Sequence, residues 1–166
     1  MFSELLTASH DSIVIARKME VFLSKGSTVQ SMIETGTRQR LGQARDFLQG
    51  AKHLTQSPLP NSEIVQRSAV SRAYYCMYHS CRAVVYFSIQ GDDRDGHSGM
   101  AEHLPKDFPN RLDARNKFRS MRLLRNEADY DPYARIGSWN DEAVSSISTA
   151  EDFYDTCRVY LQFKGI

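Results

Sequence analysis

The sequence is poor in residues that turn a chain. Its 166 residues hold nine glycines and five prolines, below the ~12% that these two types usually supply. So few reversals point to a small number of long elements and argue against many short strands. No apolar run approaches the ~20 residues that a membrane-spanning helix needs. Met1-Phe2-Ser3-Glu4 opens the chain without the basic region, apolar stretch and cleavage site of a secretory signal. Cysteine is scarce: Cys76, Cys81 and Cys157 are an odd number, without metal-ligand spacing. They read as small core residues of a cytoplasmic protein, with neither metal nor cofactor expected. Excess charge is missing too. Lys and Arg number 21 against 20 Asp and Glu, a net of +1, which excludes a generic polycation coating nucleic acid. A local basic stripe remains compatible with that total.

What is present is helical periodicity. Residues 1–25 carry a loose helical pattern (Leu5, Leu6, Ile13, Ala16, Met19, Leu23) that stops at Gly26-Ser27-Thr28. A helix is expected over about residues 30–55, where Leu41, Ala44, Leu48, Ala51 and Leu54 recur at three- and four-residue steps. Pro58 and Pro60 end it, and Asn61 or Ser62 is placed to cap the next helix, about 62–89. On that helix Ala69, Ala73, Cys76, Ser80, Ala83 and Phe87 share one narrow stripe, small enough for a neighbouring helix to approach closely. Ser68, Arg72, Tyr75, His79, Arg82 and Tyr86 border it as a polar line. Residues 91–96 compose a loop, a short helix is expected within His97–Phe108, and long helices over about 110–130 and 138–163. Asp131-Pro132 stops the first of these, and Ser138 or Asn140 caps the second. The expectation is an all-α, antiparallel four- to five-helix bundle over residues 29–166, with an N-terminal helical extension over 1–28.

The neutral total hides an uneven distribution. Residues 111–125 contain Arg111, Arg115, Lys117, Arg119, Arg122 and Arg125 against Asp113 alone, a local net of +5. On the helical wheel Arg111, Arg115, Arg122, Asn126 and Asp129 form one polar stripe within about 60°. Arg125 falls inside the edge of the apolar arc, where a guanidinium needs a partner. Asp129, one turn on, is the candidate. Projection puts Asp129 on Arg125's side of the helix and Tyr130 ~140° away from Arg125. An ordinary Arg–Asp bridge that orients the bundle is one reading of this pattern.

Three ordered motifs resemble the HEPN superfamily. Ser71-Arg72-Ala73-Tyr74-Tyr75-Cys76-Met77-Tyr78-His79 resembles its central helix. His97-Ser98-Gly99, followed by Phe108, resembles the His-x-Gly segment of a small prokaryotic branch. Arg125-Asn126-Glu127-Ala128-Asp129-Tyr130-Asp131 resembles that branch's Arg-x-x-x-Asp-Tyr-Asp signature. The resemblance covers roughly residues 37–160. It implies a helical bundle that homodimerises, and a metal-independent RNase of toxin or defence type acting at the dimer cleft. Its partner would be a nucleotidyltransferase antitoxin. The resemblance puts Arg125, Asn126, Asp129 and Tyr130 in the catalytic role. The basic stripe adds Arg111, Arg115, Arg119 and Arg122 as RNA or phosphate contacts, with Arg72 and His79 as auxiliaries.

The chain departs from the family's active pattern at one point: no His follows Arg125. Metal-free RNA cleavage needs a proton shuttle, a task that His performs near neutral pH. An inactive module binding RNA, a nucleotide or a partner nucleotidyltransferase is therefore the alternative.

Overall fold

Thr28 starts the first long helix by a reciprocal cap. Its Oγ1 accepts from the Ser31 amide, and Ser31 Oγ accepts from the Thr28 amide, both at 3.0 Å. The computed structural model describes residues 20–21, 23–26, 28–56, 62–90, 99–134 and 137–166. Helix α1 spans Val29–Thr55, α2 Glu63–Ser88, α3 Arg111–Tyr130 and α4 Trp139–Phe163, with a single 3-10 turn at Met100–His103. Of residues 1–28, expected to be an N-terminal helical extension, those described are helical at 20, 21, 23 and 24, and Gly26 follows at φ +79°. That is the left-handed stop expected of a glycine there. The rest of that helix, like His97, lies outside the described residues.

Two local expectations need correction. Ser62 occupies the cap position of α2, but its hydroxyl makes no capping bond. Glu63 faces the helix's electropositive end instead and pairs with Arg67 at 2.9 Å. The short helix expected within 97–108 is only the 3-10 turn, because Pro105 and Pro109 leave no room for a longer ladder. At the other ends the reading holds. Asp131 is extended ahead of Pro132, and Ser138 Oγ accepts from the Asp141 amide at 3.3 Å.

Helix α2 is the axis of the bundle. It packs most extensively on α1, then on α4, then on α3, while α3 touches α4 only lightly. Successive helices are antiparallel. The small stripe makes this possible: Ala69, Ala73, Cys76, Ser80 and Ala83 are all fully buried, opposed by Ala44 and Ala51 on α1 and Ala143, Ala150 and Cys157 on α4. At Gly36 the close approach is tight enough that a Cβ would stand 3.0 Å from the Tyr86 ring. Larger side chains fill the ends and flanks, with Tyr74, Met77, Met100, Leu104 and Leu161 fully enclosed. All three cysteines are free and buried. Burial pushes the Cys76 thiol up to about 12 and raises Cys81 and Cys157 as well, so they are inert packing groups.

The C-terminal end of α4 is tied down by one carboxylate. Asp107 accepts from Lys164 Nζ at 2.7 Å and from the Tyr160 hydroxyl at 3.0 Å. These two bonds hold its carboxyl below the ordinary value of 3.8. A depressed carboxyl pKa stabilises the fold fully above the unfolded value and loses that contribution as pH falls through the folded one. Residues 162–166 are therefore expected to loosen below about pH 4, before the bundle melts. Amide exchange followed across that range checks this, with Asp107→Asn loosening the same residues already at neutral pH. Unchanged exchange in the variant would show that the tether is idle.

Candidate functional site

Because α3 runs antiparallel to α2, the last two turns of α3 lie beside the first three of α2. Arg125 leaves α3 there and is held from three directions. Its Nε stands 2.7 Å from Asp129 Oδ2, an ion-pair distance off the line of the N–H. Nη2 donates to the Tyr75 hydroxyl at 2.6 Å, and Nη1 to Asn126 Oδ1 at 3.2 Å. Aromatic rings surround the guanidinium carbon, Tyr75 and Tyr130 at 5.2 Å and Tyr74 at 5.9 Å. The pair is mostly shielded, with side chains 16% and 25% exposed for Arg125 and Asp129. Burial opposes the Arg125 charge, but Tyr75, Asp129 and Tyr130 outweigh it and raise its pKa. The guanidinium is a fixed cation, not a proton donor.

The wheel misplaced one member. Tyr130 is the last residue of α3 and its ring still reaches Arg125. A long guanidinium stem runs along the helix, and a terminal residue is not bound to ideal projection, so the expected separation does not hold.

Ser71 completes the cluster by donating to Asp129 Oδ2 at 3.2 Å. Asp129 then forms one wall of an open groove of about 230 Å³, with Phe47, Ser68, Ser71, Arg72 and Tyr75 as the others. Arg72 is exposed and makes no ion pair or hydrogen bond among the described residues. His79 is buried, stacked on Phe47 at 5.2 Å and edge-on to Tyr78 at 5.1 Å. It does not line the groove. Among the described residues no three His, Cys, Asp or Glu side chains converge as metal ligands.

A family model for the HEPN domain matches residues 37–160. The chain belongs to the HEPN family. No curated protein matches it. Among the described residues no helix is long and apolar enough to cross a membrane.

Within this HEPN domain the basic stripe divides by task. Arg111 donates to the Leu104 and Glu102 carbonyls at 2.7 and 2.8 Å, and Arg115 pairs with the Glu102 carboxylate. Both brace α3 against the 3-10 turn. Arg119 and Arg122 have no such ties among the described residues; they line a second recess of about 140 Å³ together with Asn116, Phe118 and the Arg115–Glu102 pair. Three partners escaped the sequence reading: Tyr75 as the acceptor for Arg125, Ser71 as the donor to Asp129, and Arg67. The last donates to the Ala128 and Asp131 carbonyls at 3.3 and 2.9 Å while covering Trp139. It thereby supplies the cation that the last turn of α3 lacks. All three depend on which helix faces which, and no spacing within one helix reveals that.

Proposed function

We propose that this HEPN domain binds single-stranded RNA on the outer face of α2 and along α3. One observation carries the reading: Arg72, with no ion pair or hydrogen bond among the described residues, shares a groove with aromatic walls, hydroxyls and Asp129, the carboxylate paired with Arg125. Arg122 and Arg119 extend the positive track toward the start of α3, beginning about 10 Å from Asp129 along the helix. Filter binding in EDTA tests it, with the integrity of the RNA read on a gel from the same samples. Retention should weaken steeply with salt. Replacing both Arg119 and Arg122 by alanine should flatten that salt slope by about two units. Identical slopes in the two proteins would remove the track.

Metal-independent cleavage is the second reading, favoured by the contact between the Arg125 guanidinium and the Asp129 carboxylate. Arg125 would stabilise charge on the phosphorane. Asp129 would have to take the 2′-hydroxyl proton as that oxygen attacks phosphorus, and return it to the 5′-oxygen as its bond to phosphorus breaks. Among the described residues no imidazole lines the groove to help it. RNA cut by the wild type in EDTA, and left whole by Arg125→Ala, would put this reading first.

A homodimer forms part of the proposal. Leu112 and Leu123 lie within about 20° on α3 and are 70% and 56% exposed. An apolar line of that kind on a peripheral helix fits a second copy of the same face. Sedimentation should find a dimer that Leu123→Glu converts to a folded monomer. A monomeric wild type would count against it.

A further inference from the structure

The groove beside Arg125 contains opposite charges in a small space. Asp129 Oδ2 is occupied by Arg125 and Ser71, whereas Oδ1 has no partner among the described residues. Arg72, also without a partner there, supplies the cation of the same groove. At about 230 Å³ the groove falls below the ~300–1,000 Å³ typical of clefts that bury a whole small molecule. An open recess of that size suits one unit of a longer ligand.

A carboxylate repels phosphate and accepts only from a donor, so Asp129 and Arg72 sort the ligand atoms that enter the groove. The anion goes to Arg72 and a hydroxyl or amine goes to Asp129. In a polynucleotide the donor nearest to a phosphate is the ribose 2′-hydroxyl; an internal deoxyribose has none. Base amines lie on the far side of the sugar. We infer that the groove reads the sugar, the free Asp129 oxygen accepting from a 2′-hydroxyl while Arg72 holds the adjoining phosphate. The inference rests on the RNA-binding reading and adds to it the means by which RNA is told from DNA.

The test compares short single strands of one sequence as ribo-, deoxyribo- and 2′-O-methyl oligonucleotides, bound in EDTA to the full chain. The wild type should prefer the ribo strand about tenfold, the scale of one hydrogen bond to a charged group. The 2′-O-methyl strand should bind as weakly as DNA, because methylation removes the donor. That arm needs no altered protein. Arg72→Ala should weaken the ribo and deoxyribo strands alike and keep their ratio. Asp129→Ala, verified as folded by circular dichroism, should bring the ratio to one. Equal binding of ribo and deoxyribo strands by the wild type overturns the inference, as does a folded Asp129→Ala that keeps the preference. Equal binding that still depends on Arg119 and Arg122 removes only the sugar reading. If the wild type binds neither strand, the RNA-binding reading fails with it.

Discussion

Replacing Arg125 by alanine is expected to lower the melting temperature by about 4–8 °C, the equivalent of roughly 2 kcal/mol in a chain of this length. Breaking one side of a fully buried ion pair costs about 3–5 kcal/mol, because the remaining charge is left unpaired. Here the pair is 16% and 25% exposed, so water recovers part of that loss. The variant also leaves the Tyr75 hydroxyl without its donor and three tyrosine rings without their cation. Arg125→Lys should fall between the two, since it keeps the charge but not the fork that reaches Asp129, Asn126 and Tyr75 together. Thermal melts of Arg125→Ala, Asp129→Ala and the double variant form a cycle that isolates the coupling. Additive losses would mean that the 2.7 Å contact contributes nothing of its own. An unchanged melting temperature in Arg125→Ala would free this side chain from any structural role and leave RNA as its purpose.

Phe118→Ala should be more damaging still, by about 3–5 kcal/mol. Helix α3 touches α4 only lightly, and Phe118 provides much of the bridge. It is 3% exposed, with its ring 5.7 Å from that of Tyr74 on α2 and 6.3 Å from that of Phe153 on α4. Truncation leaves a cavity where three helices meet, and no small-residue stripe allows α3 to close in. Denaturant melts measure the loss. Amide exchange locates it: α3 should exchange faster than α1, whose contacts with α2 are untouched. Uniform acceleration across all four helices would instead mean that α3 opens only when the whole bundle does.

These two residues mark how far the sequence could be read. Phe118 falls on the apolar face of its helix by periodicity alone, and its burial follows. The four long helices were legible within a residue or two, because scarce glycine and proline, three- and four-residue apolar steps, and the stops at Pro58 and Pro132 act locally. Arg125 was legible as a charge in an apolar arc with Asp129 one turn away, since both sit on one helix. Ser62 and the segment before Pro109 were misjudged, since competing local bonds decide a cap and short turns carry little pattern. The basic stripe read as one surface although the fold splits it. Arg111 and Arg115 bind the 3-10 turn, while Arg119 and Arg122 make no ion pair or hydrogen bond among the described residues.

By itself the sequence determined the helices, the faces they bury, the family resemblance and the pairing of Arg125 with Asp129 one turn on. Those follow from spacing along one chain segment. Only the tertiary structure decided that Tyr75 and Ser71 bond to the Arg125–Asp129 pair, that Arg72 shares a groove with Asp129, that His79 stacks on Phe47, and that one oxygen of Asp129 has no partner among the described residues. Such facts depend on the order and direction in which helices pack. The small stripe of α2 permits that arrangement, but no periodicity within a single helix specifies it.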